Sequence, residues 1–217
     1  MTKITPNLLI EAYKVGAFPM ANNHDDTKIE FFNPDPRGII PLETFHIPRS
    51  LRKLIKKGIF KVTYNAAFSS ILEGCSQVSK NRPTTWINHE IKTLYNQLFD
   101  MGYCHSIEIW CEKNIVGGLY GVSIGGAFFG ESMFSLKPNA SKIALVHLVA
   151  SLKQEGFILL DSQFTNKHLV QFGAIDISRE NYRKRLSFAI NQEARFPARS
   201  PELNYVLEPE HFRTQTS

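Results

Sequence analysis

The stretch that begins at Cys104 constrains the fold more than any other part of the sequence, because its apolar residues recur with a period of two. Three strand-like runs follow one another at His105–Trp110, Ile115–Ser123 and Ala127–Phe134. The connections between them are only a few residues long, whereas parallel strands need a crossover of about a dozen residues or more. The sequence therefore predicts an antiparallel three-stranded meander.

Helices and further strands follow this meander. The expected order is a long helix between Asn139 and Gly156, a strand at 157–162, a short helix at 166–172, a strand at 175–177 and a last helix at about 179–191. This order predicts an α+β fold with a mixed sheet and flanking helices, and it is also the order of the GCN5-related acyltransferase core. The analogy suggests acyl transfer.

The first 65 residues predict a small N-terminal α/β domain. Its expected elements are a helix at 5–15, a loop-rich segment with short extended pieces at 18–38, a basic helix at 48–57 and a strand at 60–64. Two further helices, capped by Asn65 and Asn88, precede the meander. We place the boundary after residue 65, so that residues 66–217 form the acyltransferase-like catalytic domain.

Composition excludes several classes of protein. With 217 residues, of which 43% are hydrophobic and 21% charged, the chain is neither a disordered tail nor a collagen-like fibre. The cysteines are three in number, and neither they nor the histidines show metal-ligand spacing, so no disulfide framework and no metal site are predicted. The sequence shows no signal peptide and no membrane span, and we expect a cytoplasmic protein.

A run of cations lies in the predicted basic helix and just beyond it. The run consists of Arg49, Arg52, Lys53, Lys56, Lys57 and Lys61, with no acidic residue among them. Such a run is typical of a surface that contacts the phosphate backbone of a nucleic acid. A solvated helix face explains it equally well.

Two polar side chains lie at the end of the apolar strand at 157–162. In a strand, Asp161 and Gln163 point to the same face, so a carboxylate and an amide would lie side by side at its carboxyl end. Sheets that contain parallel strands usually place their functional sites there. The alternative is that Asp161 only caps the turn into the next helix.

A second carboxylate stands within an apolar strand. Glu131 is costly to bury unless a donor or a cation meets it, which favours a position facing a cleft. The alternative is an edge-strand glutamate that reaches water. Phe128, Met133, Leu145 and Leu160 could line an apolar pocket beside it, although residues of these types are more often plain core.

Eight short motifs are spread along the chain from residue 16 to residue 163. They are Gly16-Ala17-Phe18-Pro19, Pro34-Asp35-Pro36-Arg37, Thr85-Trp86-Ile87, His105-Ser106-Ile107-Glu108, Val116 to Gly121, Gly130 to Ser135, Asn139 to Lys142 and Asp161-Ser162-Gln163. Together, in this order, they resemble the leucyl/phenylalanyl-tRNA protein transferase family. The resemblance implies a bacterial enzyme that moves leucine, phenylalanine or methionine from its tRNA onto proteins beginning with Lys or Arg, which marks them for degradation by the N-end rule.

The resemblance also implies roles for individual residues in an ester aminolysis that needs no cofactor. Gln163 would orient the attacking amine, while Asp161 would hold and polarise the Gln163 amide. Glu131 would attract the cationic N-terminus of the acceptor. Trp86 would stack on the terminal adenine of the tRNA.

The remaining implied contacts concern the two ends of the aminoacyl-tRNA. The transferred side chain would bind in the apolar pocket of Phe128, Met133, Leu145 and Leu160. The acceptor stem would lie against Arg49, Arg52, Lys53, Lys56 and Lys57. Two other functions are compatible with the same residues. One is another acyltransferase of this fold, and the other is a non-catalytic RNA-binding module.

Overall fold

The computed structural model describes residues 4–23, 28–78 and 84–207. Within these ranges the chain forms a seven-stranded sheet, a two-stranded sheet and helices that pack against the larger sheet. In chain order the elements are α1 (Pro6–Lys14), β1 (Phe18–Ala21), β2 (Ile29–Phe32), β3 (Arg37–Ile39), α2 (Arg49–Lys56), β4 (Lys61–Tyr64), α3 (Phe68–Ser76), α4 (His89–Asp100), β5 (Cys104–Cys111), β6 (Asn114–Ile124), β7 (Ala127–Ser135), α5 (Ala140–Gln154), β8 (Leu159–Gln163), α6 (Lys167–Val170), β9 (Ile175–Ile177), α7 (Arg179–Ala189) and α8 (Leu203–Leu207).

The larger sheet has the strand order β4-β5-β6-β7-β8-β3-β9. Strands β5, β6 and β7 pair antiparallel, so the predicted meander is confirmed. Helix α5 then carries the chain back along the sheet, and β8 therefore pairs parallel with β7. This architecture confirms the predicted α+β class with a mixed sheet and flanking helices.

Helix α5 lies in the centre of the molecule. Of its 15 residues, 13 are buried, which is typical of a helix enclosed on nearly all sides. It packs against β5, β6 and β7 and also contacts α2 and α8. The helix thus presents apolar side chains to the sheet close to the end of β7.

The period of two divides the apolar residues of the sheet between two clusters. Ile107, Phe128 and Leu160 belong to the cluster around α5, whereas Phe129 and Leu159 belong to a second cluster with α1, α3, α4 and α7. Neighbouring residues on a strand point to opposite faces, so each face of the sheet has its own core.

The first 65 residues contribute to both sheets. The segment predicted as loop-rich contains three strands, of which β1 and β2 pair with each other and β3 inserts between β8 and β9. Strand β4 pairs with β5 at the opposite edge. Strands from both parts of the chain therefore share the larger sheet. The domain boundary after residue 65 stays a prediction.

One of the two predicted caps ahead of the meander is confirmed and the other is wrong. Asn88 precedes α4, and its side chain accepts a hydrogen bond from the Ile91 backbone N–H at 2.8 Å. Asn65 does not cap α3, which begins at Phe68. Instead it adopts φ 55° and its side chain accepts from the Ser106 backbone N–H on β5 at 2.9 Å.

Asn139 stands at the start of α5 without making a side-chain cap. It has φ 69° and no capping hydrogen bond. The Ser135 hydroxyl accepts from the Ser141 backbone N–H at 2.8 Å, so the last residue of β7 caps the helix instead.

Candidate active site

An opening between two parallel strands creates the site. Strands β7 and β8 pair only from Ala127↔Leu159 to Phe129↔Asp161. Strand β7 continues to Ser135, while β8 continues to Gln163 beside β3. The two strands therefore separate beyond Phe129, and side chains from both faces of the sheet can meet in the gap.

A cavity of about 730 Å³ lies at this opening. Its apolar wall consists of Ile40, Leu119, Met133, Leu145, Leu148 and Leu160. Glu131 and Asp161 also belong to its lining, and Lys167 and His168 contribute from α6. The cavity thus combines an apolar wall with polar and charged residues.

Three of the four residues predicted for an apolar pocket lie together here. Met133, Leu145 and Leu160 line the cavity. Phe128 does not belong to its lining, and its fully buried ring stacks at 5.6 Å from Phe196 within the core. The structure therefore places Phe128 as plain core, which is the alternative that the sequence left open.

A β-bulge aims Glu131 at the cavity. Across from β6, Gly130 pairs with Gly121 and Ser132 with Tyr120, so that Glu131 has no partner in the register. A bulge of this kind redirects the extra side chain. The Glu131 residue is buried, with 9% exposure, rather than at a water-facing edge.

Three side chains surround the Glu131 carboxyl. The hydroxyl of Tyr13 lies 2.8 Å from Oε1 and that of Tyr95 lies 2.8 Å from Oε2. The Gln163 amide donates to Oε1 at 2.9 Å. Burial raises the pKa of Glu131 to about 7, although these hydrogen bonds act in the opposite direction.

Asp161 is fully buried and paired with Arg37. The guanidinium donates through Nε to Oδ1 at 2.9 Å and through Nη2 to Oδ2 at 2.6 Å. Tyr182 donates to Oδ2 at 2.6 Å and the Gln163 backbone N–H donates to Oδ1 at 2.8 Å. Four donors therefore fix the carboxylate in one orientation.

Arg37 is held as firmly as its partner. Its guanidinium lies between the rings of Phe18 and Tyr182, with centroids at 4.7 and 4.4 Å, and Nη1 donates to the Gly16 carbonyl at 2.7 Å. Cation–π contacts and hydrogen bonds together compensate a charge that has no exposed surface.

Gln163 connects the two carboxyl groups, but not as predicted. Its backbone N–H binds Asp161 and its side-chain amide binds Glu131, in a left-handed conformation with φ 64°. The expected contact between the Asp161 carboxylate and the Gln163 amide is absent from the hydrogen bonds of the described residues. Arg37 and Tyr182 occupy the positions on Asp161 that such a contact would need.

The sequence predicted no functional role for four residues of this site. Arg37 lies in one of the eight motifs but had no role, and Tyr182 lies in the last helix. Tyr13 and Tyr95 lie at buried positions of α1 and α4. A buried tyrosine hydroxyl usually needs a partner, so tyrosines at core positions were the available signal.

The residues predicted to contact tRNA lie away from the cavity lining. Trp86 is half-buried and packs against the second apolar cluster. Lys53, Lys56 and Lys57 are exposed on or next to α2, as is Arg49.

Arg52 differs from the other cations of this helix. It is half-buried, and its guanidinium donates to the backbone carbonyls of Ile47 and Leu207. It therefore ties α2 to the end of α8.

The described residues contain no group of three or more His, Cys, Asp and Glu side chains placed to hold a metal ion. None of their helices has the length and apolar character needed to cross a lipid bilayer.

Comparison with known proteins gives three findings. The family model "Leucyl/phenylalanyl-tRNA protein transferase" matches residues 39–187, and the model of the N-terminal domain of that transferase matches residues 2–35. The leucyl/phenylalanyl-tRNA–protein transferase of Maricaulis maris is 53% identical over 195 residues, which are 90% of each chain. The solved structure of L-PGS from Bacillus licheniformis is 12% identical, with a TM-score of 0.47 over 73% of this chain and 66% of that one.

Proposed function

Because the chain belongs to the leucyl/phenylalanyl-tRNA protein transferase family, we propose that it transfers leucine, phenylalanine or methionine from aminoacyl-tRNA to the N-terminal Lys or Arg of acceptor proteins. The product would carry a signal for degradation by the N-end rule, and the reaction would take place in the cytoplasm. The observation that carries the proposal is the cavity between β7 and β8, whose lining combines an apolar wall with the buried residues Glu131 and Asp161.

The apolar wall suits the transferred side chain. Met133, Leu145 and Leu160 offer it no hydrogen-bonding group, so Leu, Phe and Met all fit the same chemistry. A pocket of this kind discriminates weakly, since one methylene is worth about 1–3 kcal/mol.

The polar side suits aminolysis of an ester that is already activated. An α-amine has an unperturbed pKa of about 7.7–8.0, so a useful fraction is neutral at pH 7 without a strong base. Orientation of the amine beside the ester carbonyl then supplies most of the acceleration. Gln163, fixed through its backbone and its amide, is the orienting group in this proposal.

Glu131 is the group that would select a cationic acceptor. Glu131 belongs to the cavity lining, and its carboxyl forms no ion pair with any described Lys, Arg or His. Hydrogen bonds between ionised partners are about twice as strong as neutral ones. An acceptor with a positively charged N-terminal residue would therefore bind better than a neutral one.

A transfer assay tests the proposal. Purified protein is mixed with tRNA carrying labelled leucine and with a peptide that begins with Arg, and we expect leucine at the peptide N-terminus. A peptide that differs only in beginning with Ala is the control and should receive little label. If the protein bound acetyl-CoA and transferred no leucine to the Arg peptide, the result would instead favour another acyltransferase of this fold.

Leu145→Phe should change the choice of amino acid. The larger ring would occupy cavity volume, so transfer of phenylalanine should fall relative to leucine by about tenfold, or about 1.4 kcal/mol. The leucine-to-phenylalanine ratio within one preparation is the measurement, which makes it independent of the amount of folded protein. An unchanged ratio would place the transferred side chain elsewhere.

Lys56→Ala tests the tRNA surface. Each lost phosphate contact should reduce the slope of log affinity against log salt by about one. Lys56 is exposed on α2, and the matched control is Lys113→Ala in the connection between β5 and β6. Equal slopes for both variants and the wild type would mean that α2 does not contact the tRNA.

A further inference from the structure

Three oxygen-bearing side chains form a closed ring beside the cavity. The hydroxyls of Tyr13 and Tyr95 lie 2.6 Å apart, and each lies 2.8 Å from a different oxygen of Glu131. All three distances are normal for O–H···O hydrogen bonds, and each needs one hydrogen between its two oxygens. The ring therefore contains three hydrogen bonds.

An ionised Glu131 would leave this ring one hydrogen short. Each tyrosine hydroxyl has one hydrogen and a carboxylate has none, so the three contacts would share two hydrogens. One pair of oxygens would then face each other without a proton at hydrogen-bond distance. Burial raises the pKa of both tyrosines well above the usual value, so both hydroxyls stay protonated.

We propose that Glu131 rests as a neutral carboxylic acid whose proton closes the ring with Tyr13 and Tyr95, and that it releases this proton when a cationic group binds beside it. In the resting ring, Glu131 donates to Tyr95, Tyr95 donates to Tyr13 and Tyr13 donates back to Glu131. Tyr13 and Tyr95 are thus positioning residues that hold the carboxyl in its protonated form.

The surroundings of Glu131 agree with a neutral resting form. Burial is the largest cause of its raised pKa, and the Asp161 charge raises it further. Arg37, the cation of the site, uses its donors on Asp161, on the Gly16 carbonyl and on Tyr182. The titratable groups that face Glu131 from neighbouring elements are Tyr13 on α1, Arg37 on β3, Tyr95 on α4, Cys104 on β5, Asp161 on β8 and Tyr182 on α7.

A second buried glutamate shows the contrast. Glu108 accepts from the hydroxyls of Thr63 and Ser106 and from the backbone N–H groups of Ala66 and Ala67. Each of these four hydrogen bonds takes its hydrogen from the donor, so none of them needs a hydrogen from the Glu108 carboxyl. Burial alone therefore does not demand a proton, whereas the ring geometry at Glu131 does.

The proton balance of binding follows directly. Before binding, the neutral Glu131 and the cationic group of the acceptor together carry one positive charge. After binding they form an ion pair without net charge, and the positive charge leaves as one proton released to solvent. The identity of the cation as the N-terminal group of an acceptor rests on the proposed function. The protonated resting state does not rest on it.

Infrared spectroscopy tests the resting state without any ligand. On the acidic side of pH 7 the wild type should show the carbonyl stretch of a protonated carboxylic acid, shifted in D₂O and lost in Glu131→Gln. Tyr95→Phe should move this band, because the acid O–H loses its acceptor, while a merely structural role of Tyr95 would leave it in place. Absence of a band assigned to Glu131 would overturn the proposal.

The stability of the same two proteins provides a second test. A glutamine at 131 can accept from Tyr13 and donate to Tyr95, so Glu131→Gln should keep the ring and not titrate. The folded wild type binds the extra proton between the usual pKa of 4.5 and about 7, so its stability is highest below this window and falls as pH rises through it. Its unfolding equilibrium constant relative to Glu131→Gln should therefore rise by up to about tenfold per pH unit there. A constant ratio across the window would contradict the inference.

Calorimetry in buffers of different ionisation enthalpy separates this inference from the proposed function. Binding of an Arg-initiated peptide on the acidic side of pH 7 should release close to one proton. Binding without proton release would overturn the inference and leave the proposed function intact. Observation of the acid band together with no binding of the peptide would support the inference and overturn the proposed function.

Discussion

Arg37→Leu is expected to lower the free energy of unfolding by about 3–5 kcal/mol, because it leaves the buried Asp161 carboxylate without its cation. The pair has no exposed surface, and two N–H groups of Arg37 bind the two oxygens of Asp161. The substitution also removes the cation between Phe18 and Tyr182. Denaturant unfolding followed by circular dichroism measures the loss.

Arg183→Leu is the matched control for this substitution. Arg183 lies exposed on α7, one residue after Tyr182, so its replacement should change stability by no more than about 0.5 kcal/mol. A loss below about 1 kcal/mol for Arg37→Leu would show that Asp161 finds other compensation. In that case the ion pair would not be what fixes the strand end that carries Gln163.

Glu131→Gln is expected to reduce kcat/KM for Arg-initiated acceptors by about 10–100-fold, since a hydrogen bond to a charged group is worth about 1.5–3 kcal/mol. The variant keeps the shape of the site but cannot form a carboxylate when the cation arrives. Initial rates at low acceptor concentration measure the effect.

Glu180→Gln makes the same substitution at an exposed position on α7 and is the control. It should leave kcat/KM unchanged, and tRNA binding should be the same for both variants. Equal rates for Glu131→Gln and the wild type would remove Glu131 from acceptor recognition.

Local sequence patterns were sufficient for the antiparallel meander and for part of the site. Alternating apolar residues and short connections fix an antiparallel meander whatever the rest of the chain does. The same alternation placed Asp161 and Gln163 at the end of a strand, and both lie at the opening between β7 and β8.

Long-range contacts decided what the sequence could not. The bulge that aims Glu131 at the cavity depends on the register between β6 and β7, which no local pattern fixes. Arg37 reaches Asp161 only because β3 inserts beside β8, 124 residues away in sequence. Asn65 bonded to the adjacent strand for the same reason, since a nearby backbone group replaced the expected cap.

Phe128 shows a further limit of pattern reading. An apolar residue next to a site on the strand looks the same in sequence whether it faces the cavity or the core. Phe128 stacks on Phe196, whereas Met133, which follows the bulge on the same strand, lines the cavity.

We propose that one opening between β7 and β8 binds both the aminoacyl side chain and the acceptor. A crystal structure with phenylalanyl-adenosine, in which an amide replaces the ester, tests it most directly. We expect the phenyl ring to lie against Met133, Leu145 and Leu160, with the carbonyl group close to Gln163. A phenyl ring bound elsewhere, with this cavity empty, would contradict it.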